Sequence, residues 1–134
     1  MSTTDRNKQL VLEAWDAFWR GDIDAGMSRL ADDVVWIVPG NNRFAGTLAG
    51  KDAVRRFRFA ARELFSEMER EVVGIYADGD TVVMESAVRA RLRSGAPYEN
   101  NGVLVLEMRD GLVQNVREYL DTARAMAIDD SAGE

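Results

Sequence analysis

Residues 102–121 read GVLVLEMRDGLVQNVREYLD, and this stretch decides the fold of the chain. Two apolar runs flank Asp110-Gly111, a dipeptide whose backbone suits the tight turn of a β-hairpin. Successive side chains of a strand point to opposite faces, so Val116, Glu118 and Leu120 share one face of the second strand. That face is apolar except for its central carboxyl group. An apolar face packs against a core or a pocket, so the pattern predicts that Glu118 points inward.

The composition limits the class of protein. The chain has 134 residues, 46% hydrophobic and 30% charged, which is typical of one globular domain. It contains no cysteine and no histidine, which excludes disulfides, thiolate chemistry and histidine general bases. Neither a membrane span nor a signal peptide is evident, so we expect a cytoplasmic protein without membrane partners. The net charge of −6 argues against nucleic-acid binding.

Hydrophobic periodicity predicts an α+β fold in a single domain over residues 1–134. Helices are predicted over 7–20 (capped by Thr3 or Thr4), just after residue 22, and over 51–65 with its arginines in solvent. Strands are predicted over 34–38, 68–76, 81–93, 98–109 and 112–121, with a loop over 41–50. The ordered core is placed at about 5–124, and residues 125–134 are placed in a C-terminal tail. Short turns make consecutive strands antiparallel, and a strongly curved antiparallel sheet wrapped around three helices forms a cone with an open mouth.

The mouth of such a cone is a natural site for a small molecule. Its predicted ligand-binding residues are Trp15, Trp19, Trp36, Val38, Phe57, Met84, Ser86, Val88, Leu104, Val116 and Leu120. Tryptophan at helical spacing is often core, but it also lines pockets for flat ring systems, and both interpretations stay open.

Two acids are candidate catalytic groups. Burial in an apolar wall would raise the pKa of Glu118 and suit it to general acid–base catalysis. The alternative is that Glu118 lies near the rim of the pocket or forms a structural ion pair with an arginine. Asp121 ends the last strand, where capping of a short C-terminal helix is the alternative to catalysis. No acidic cluster has ligand spacing and no glycine-rich phosphate loop follows a strand, so we expect no metal and no cofactor.

Three segments resemble the nuclear transport factor 2-like superfamily, in its SnoaL-like branch of polyketide cyclases and ketosteroid isomerase relatives: WRGDIDAGMSRLADDVVW, FAGTLAGKDAVRRF and DGLVQNVREYLDT. The resemblance covers nearly the whole chain and implies the cone fold. It also implies a cofactor-independent isomerase or cyclase for an apolar polyketide-, steroid- or terpenoid-like molecule. Where a ketosteroid isomerase carries its base and its oxyanion tyrosine, this chain has Val38 and Ala14. Against limonene epoxide hydrolases, Glu118 matches one acid, while Ser86 and Val88 replace the other two positions.

Two classes of function follow from these observations. In the first, Glu118 moves a proton on an apolar small-molecule substrate, with an epoxide-hydrolase-like activity as the weaker variant. In the second, the cone is a non-catalytic module that binds a hydrophobic ligand or a partner, which the replaced catalytic positions favour. In either class we expect a homodimer through the outer face of the sheet.

Overall fold

The computed structural model describes residues 1–41 and 45–132. In this part of the chain the helices are α1 (Thr3–Trp19), α2 (Ile23–Met27), α3 (Lys51–Glu63) and α4 (Thr122–Ala132). The strands are β1 (Leu30–Val38), β2 (Gly46–Ala49), β3 (Phe65–Asp78), β4 (Thr81–Leu92), β5 (Pro97–Arg109) and β6 (Leu112–Leu120).

A single sheet carries all six strands in the order β2-β1-β6-β5-β4-β3. Neighbouring strands are antiparallel except β1 and β6, which run parallel and align Trp36 with Val116. An irregularity between Val72 and Gly74 bends β3 against β4. Helix α1 packs on β3 and β4, whereas α3 packs on β1 and β2, at the other end of the strand order. The curved sheet therefore wraps around the helices, and the predicted α+β cone is confirmed.

The hairpin between β5 and β6 forms at the predicted turn. Asp110 and Gly111 have φ angles of 54° and 78°, and a two-residue type I′ turn requires such left-handed values at both positions. Glycine adopts them freely, and aspartate is among the few other residues that tolerate them. The register places Leu104 opposite Glu118, and Val116 on the same face is fully buried. Glu118 thus points to the interior, as the alternation predicts.

Both ends of the chain differ from the prediction. Ser2, rather than Thr3 or Thr4, caps α1, because its hydroxyl accepts a hydrogen bond of 3.1 Å from the Asp5 amide. Residues 125–132 of the predicted C-terminal tail belong to the helix α4, which packs on β5 and buries Ala125, while residues 133–134 lie outside the described part of the chain. Capping by Asp121 implies a short helix here, but three turns of helix depend on a tertiary contact that the weak periodicity of the segment does not reveal.

The loop predicted over residues 41–50 contains the strand β2, while its residues 42–44 lie outside the described part of the chain. Strand β2 pairs antiparallel with the edge of β1, with Leu48 opposite Trp36. Its sequence GTLA has no alternating pattern to predict a strand, so the backbone bonds offered by β1 decide its conformation.

The core lies between the helices and the inner face of the sheet. Its fully buried members include Phe18, Leu30, Trp36, Met84, Leu106 and Val116. The ring centroid of Trp15 is 5.3 Å from that of Phe18 and 5.6 Å from that of Trp36, so aromatic contacts join α1 to β1. Among the described residues, no helix is both long enough and apolar enough to cross a membrane.

Candidate active site

A cavity of about 160 Å³ opens between α1, α3 and the inner face of the sheet, and we call it the Glu118 cavity. Its lining residues are Phe18, Trp19, Ile23, Phe57, Arg58, Ala61, Arg62, Phe65, Met68, Val88, Tyr98, Asn100, Asn101, Gly102, Glu118 and Leu120. Among the residues that the structure describes in this wall, Glu118 is the only acid. A cavity of roughly 150 Å³ in another protein holds benzene, so this space suits one aromatic ring.

The carboxyl group of Glu118 is held by one neutral donor. Its Oε1 accepts a hydrogen bond of 3.0 Å from the indole Nε1 of Trp36. Burial raises the pKa of Glu118 above its ordinary value, while attraction to Arg58 and the hydrogen bond from Trp36 act in the opposite direction. The effect of burial is the largest of the three, so the pKa of Glu118 is raised and its carboxyl loses its proton at a higher pH than an exposed glutamate does.

The second oxygen of the same carboxyl remains available to a ligand. No hydrogen bond from the described residues reaches Oε2 of Glu118, and this atom is not among their fully enclosed, unpartnered polar atoms. It therefore borders the open space of the cavity, at the end of a carboxyl group whose orientation Trp36 sets.

Trp36 is itself fixed by its surroundings. It is fully buried, and its ring centroid lies 5.6 Å from that of Trp15 and 5.8 Å from that of Phe57. Because β1 runs parallel to β6, Trp36 lies beside the strand that carries Glu118, although 82 positions separate the two residues. The pairing of β1 with β6 thus brings the hydrogen-bond donor of Trp36 to the acceptor of Glu118, and neither strand contains both groups.

Arg58 also reaches the site, although the sequence predicts the arginines of α3 in solvent. That prediction is wrong for Arg58, whose guanidinium carbon lies 4.8 Å from the ring centroid of Phe18 and 5.6 Å from that of Trp36. Burial lowers the pKa of Arg58 and attraction to Glu118 opposes this effect, but a guanidinium remains protonated in proteins. The spacing along α3 could have predicted this position, because Arg58 follows the fully buried Val54 by one helical turn and therefore lies on the same face of the helix.

Arg58 and Glu118 face the same cavity without forming a direct ion pair. Ion pairs among the described residues, at N···O distances up to 4.0 Å, join Arg55 to Asp24 and Arg70 to Asp16 but do not include Arg58 with Glu118. The two groups attract each other electrostatically and line the same cavity, so a ligand bound there can contact both. The structural ion pair considered for Glu118 is therefore not what the geometry shows.

A hydrogen-bonded network borders the cavity where β5 begins and β6 ends. Asn100, 6% exposed, donates to the Tyr98 hydroxyl at 2.6 Å and to the Asp121 carbonyl at 3.1 Å. Its own carbonyl accepts from the backbone amides of Asn101 and Asp121 at 2.7 and 3.1 Å. Since the Tyr98 oxygen accepts from Asn100, its proton is free to donate into the cavity. Burial raises the pKa of Tyr98, which keeps that proton in place.

The structure separates the predicted site residues into groups. Five of them line the Glu118 cavity: Trp19, Phe57, Val88, Glu118 and Leu120. Val38 lines a second, apolar cavity of about 430 Å³ beneath β2, which also borders Phe57. The remaining predicted ligand contacts do not line the Glu118 cavity: Trp15, Trp36, Met84, Ser86, Leu104 and Val116. Trp15, Trp36, Met84 and Val116 fill the core instead, because large side chains from α1, β1, β4 and β6 meet there.

Asp121 is absent from the wall of the Glu118 cavity, as far as the structure describes it. Its carboxylate accepts a hydrogen bond of 3.1 Å from the Arg124 amide and lies 3.6 Å from the Arg124 side chain. This is the geometry of a helix cap, so the capping alternative accounts for Asp121.

The donor set of the cavity suits an organic ligand that carries oxygen. The cavity offers the carboxyl of Glu118, the guanidinium groups of Arg58 and Arg62, and the hydroxyl of Tyr98. Within residues 1–41 and 45–132, no group of three or more acidic side chains is arranged to hold a metal ion.

Comparisons with known proteins agree with the fold. The sequence profile described as a SnoaL-like domain matches residues 11–116. No curated protein matches the chain. Among solved structures, an NTF2-like protein from Burkholderia xenovorans LB400 is 27% identical, with 94% of this chain and 97% of that chain covered and a TM-score of 0.80. An NTF2-like protein of unknown function from Burkholderia pseudomallei K96243 is 26% identical, with 96% and 98% covered and a TM-score of 0.84.

One further solved structure shares the fold at lower identity. A candidate SnoaL-like polyketide cyclase from Jannaschia sp. CCS1 is 21% identical, with 96% of this chain and 94% of that chain covered and a TM-score of 0.83. At this level of identity the likeness shows the fold alone, and the chemistry must be argued from the side chains of the cavity.

Proposed function

The chain belongs to the SnoaL-like domain family, and we propose that it is a cofactor-independent isomerase or cyclase that moves a proton on an apolar ring compound. Glu118 carries the proton in this proposal. The observation that supports it is a single carboxyl group in an apolar cavity, oriented by Trp36 and with its pKa raised by burial. Such groups are typical of sites that perform acid–base chemistry.

The proposed step conserves protons and electrons. The carboxylate of Glu118 takes a proton from a carbon beside a ring carbonyl, and the electron pair of that C–H bond moves to the carbonyl oxygen as an enolate. Where a C=C bond of the ring is conjugated with this enolate, return of the proton to the far carbon of that bond shifts the double bond and isomerises the substrate. Alternatively, the enolate carbon attacks a second carbonyl of the same molecule, and that oxygen takes the proton from Glu118 as the ring closes. Neither route oxidises or reduces the substrate.

Deuterium exchange tests the proposal whatever the final product of the reaction is. We expect the protein to accelerate exchange of the protons next to the carbonyl in at least one member of a panel of small ring ketones in D2O, followed by proton NMR. Glu118→Gln should lower that rate by about 10²–10⁴-fold, the usual contribution of a positioned acid or base. Glu63→Gln is the matched control, because Glu63 is exposed at the end of α3, outside the wall of the cavity, and its substitution changes the charge equally.

Two results would contradict the proposed function. One is equal exchange rates for the wild type and a folded Glu118→Gln variant, which would show that Glu118 does not carry the proton. The other is the absence of enzyme-dependent exchange for every ketone of the panel.

A non-catalytic ligand-binding module is the second candidate function. It is favoured by the tight filling of the interior, where Trp15, Trp36 and Met84 are 2%, 0% and 0% exposed, so that the cavity beside Glu118 is small. Saturable binding of ring compounds without any exchange, and with the same affinity in Glu118→Gln, would favour this function over catalysis.

We also propose that the chain forms a homodimer through the outer face of the sheet. An apolar row runs across this face, where Tyr76 pairs with Val83 and Val83 pairs with Val105. Tyr119 lies beside the row, opposite Val103, and Tyr76 and Tyr119 are 61% and 47% exposed. A second copy would cover these side chains. Sedimentation velocity should show a dimer at micromolar concentration, and Tyr119→Arg should shift it towards monomer; a monomeric wild type would contradict the proposal.

A further inference from the structure

The Glu118 cavity has more positive than negative side chains, although the chain as a whole is acidic. Arg58 and Arg62 line it, and Glu118 is the only acid in its described wall. The net charge of the whole chain is −6, so the net charge of the side chains that line this cavity has the opposite sign to that of the chain. Positive groups that line a concave apolar site concentrate the local field and attract anions.

Arg58 is half-buried and lacks the acidic partner that an enclosed cation normally has. Its Nε is buried and has no hydrogen-bond partner among the described residues, and its guanidinium forms no ion pair in that part of the chain. Arg70, by contrast, pairs with Asp16 although its side chain is only 6% exposed. An unpaired buried charge is costly unless a ligand supplies the opposite charge.

The guanidinium of Arg58 is also held in place before any ligand arrives. It lies against the rings of Phe18 and Trp36, at 4.8 and 5.6 Å from their centroids. Both rings belong to fully buried residues, so little side-chain freedom remains to be lost when Arg58 binds an oxygen. A planar guanidinium fork fits an anionic oxygen pair better than a water molecule or a carbonyl.

Two further donors border the same space. The Tyr98 hydroxyl accepts from Asn100 at 2.6 Å and has its proton left for a ligand. Arg62 donates to the backbone carbonyl of Trp19 at 3.3 Å, which keeps its charge at the wall of the cavity. Three donors, two of them charged, therefore surround the single carboxyl of Glu118.

We propose that the Glu118 cavity binds its ligand as an anion: a planar ring compound with an acidic oxygen, such as a carboxylate, an acidic enol or a phenolate, held by Arg58. This inference rests on the proposed function and deepens it, because it names the class of substrate. Arg58 binds the acidic oxygen, the apolar wall of Phe57, Phe65 and Leu120 encloses the ring, and Oε2 of Glu118 faces the ring carbons.

A matched pair of probes tests this inference: benzoate and benzamide, which have the same single ring and nearly the same shape but differ in charge. We expect calorimetric titration of the wild type to show at least about tenfold tighter binding of the benzoate, as a hydrogen bond to a charged group predicts. Arg58→Gln should abolish this preference. Arg56→Gln should retain it, because Arg56 is exposed on the same helix and does not line the cavity.

Each outcome decides the inference. Equal or tighter binding of the benzamide by the wild type would overturn it, and so would the absence of benzoate binding up to millimolar concentration. A preference that persists in Arg58→Gln would overturn the role of Arg58. If Arg58→Gln does not fold, Arg58→Lys replaces it, and we then expect the benzoate preference to be retained but weakened several-fold. Failure of this inference leaves the proton-transfer function standing, since the exchange of neutral ketones tests that function separately.

Discussion

Replacement of Asn100 by alanine is expected to destabilise the protein strongly, although this residue touches no proposed reacting atom. Its side chain makes four hydrogen bonds, to the Tyr98 hydroxyl, the Asp121 carbonyl and the amides of Asn101 and Asp121. A typical intramolecular hydrogen bond contributes about 0.5–1.5 kcal/mol net, so the four bonds together amount to about 2–6 kcal/mol. Water can reach part of the exposed Asp121, which recovers some of this loss, and we expect a destabilisation of about 3 kcal/mol.

Urea unfolding followed by far-ultraviolet circular dichroism measures this effect. For a domain of this size, about 3 kcal/mol corresponds to a decrease of roughly 10 °C in the melting temperature. Asn101→Ala is the control: its side chain is exposed and its backbone amide still donates to Asn100, so a change below about 1 kcal/mol is expected. If the free energy of unfolding of Asn100→Ala lies within about 1 kcal/mol of that of the wild type, the hydrogen-bonded network does not hold the ends of β5 and β6 together.

Two further predictions concern the buried carboxyl and the tight packing beside the cavity. Because burial raises the pKa of Glu118 in the folded state, the native protein loses stability as the pH rises from the unfolded to the folded pKa, and a glutamine cannot show this loss. The stability of Glu118→Gln relative to the wild type should therefore increase with pH in urea titrations between about pH 4 and 8; a constant difference would refute the raised pKa. Gly26→Ala should destabilise by about 1–2 kcal/mol, because its new Cβ would lie 2.5 Å from the ring of Phe18 in a filled core; an unchanged melting temperature would show that the ring can move away.

Local chemistry determined the parts of this protein that could be predicted from its residues alone. Asp110-Gly111 specifies its own turn, because few residues other than glycine and aspartate accept left-handed backbone angles there. Strand alternation then places Glu118 on the inner face regardless of what lies opposite, and Asp121 caps the helix that follows it.

The identity of the neighbours of Glu118 needed the tertiary structure. Parallel pairing of β1 with β6 brings the Trp36 indole to the carboxyl, and no local signal encodes a pairing between strands so far apart in the chain. Arg58 was predicted in solvent because arginine is normally exposed, but the inward side of α3 leaves it between two aromatic rings. Side-chain volume decided the rest: Trp15, Trp36 and Met84 fill the centre of the interior, so they do not line the cavity beside Glu118. Alternation and turn chemistry act between adjacent residues, whereas packing depends on which distant side chains meet, and that is why only the folded chain shows the site.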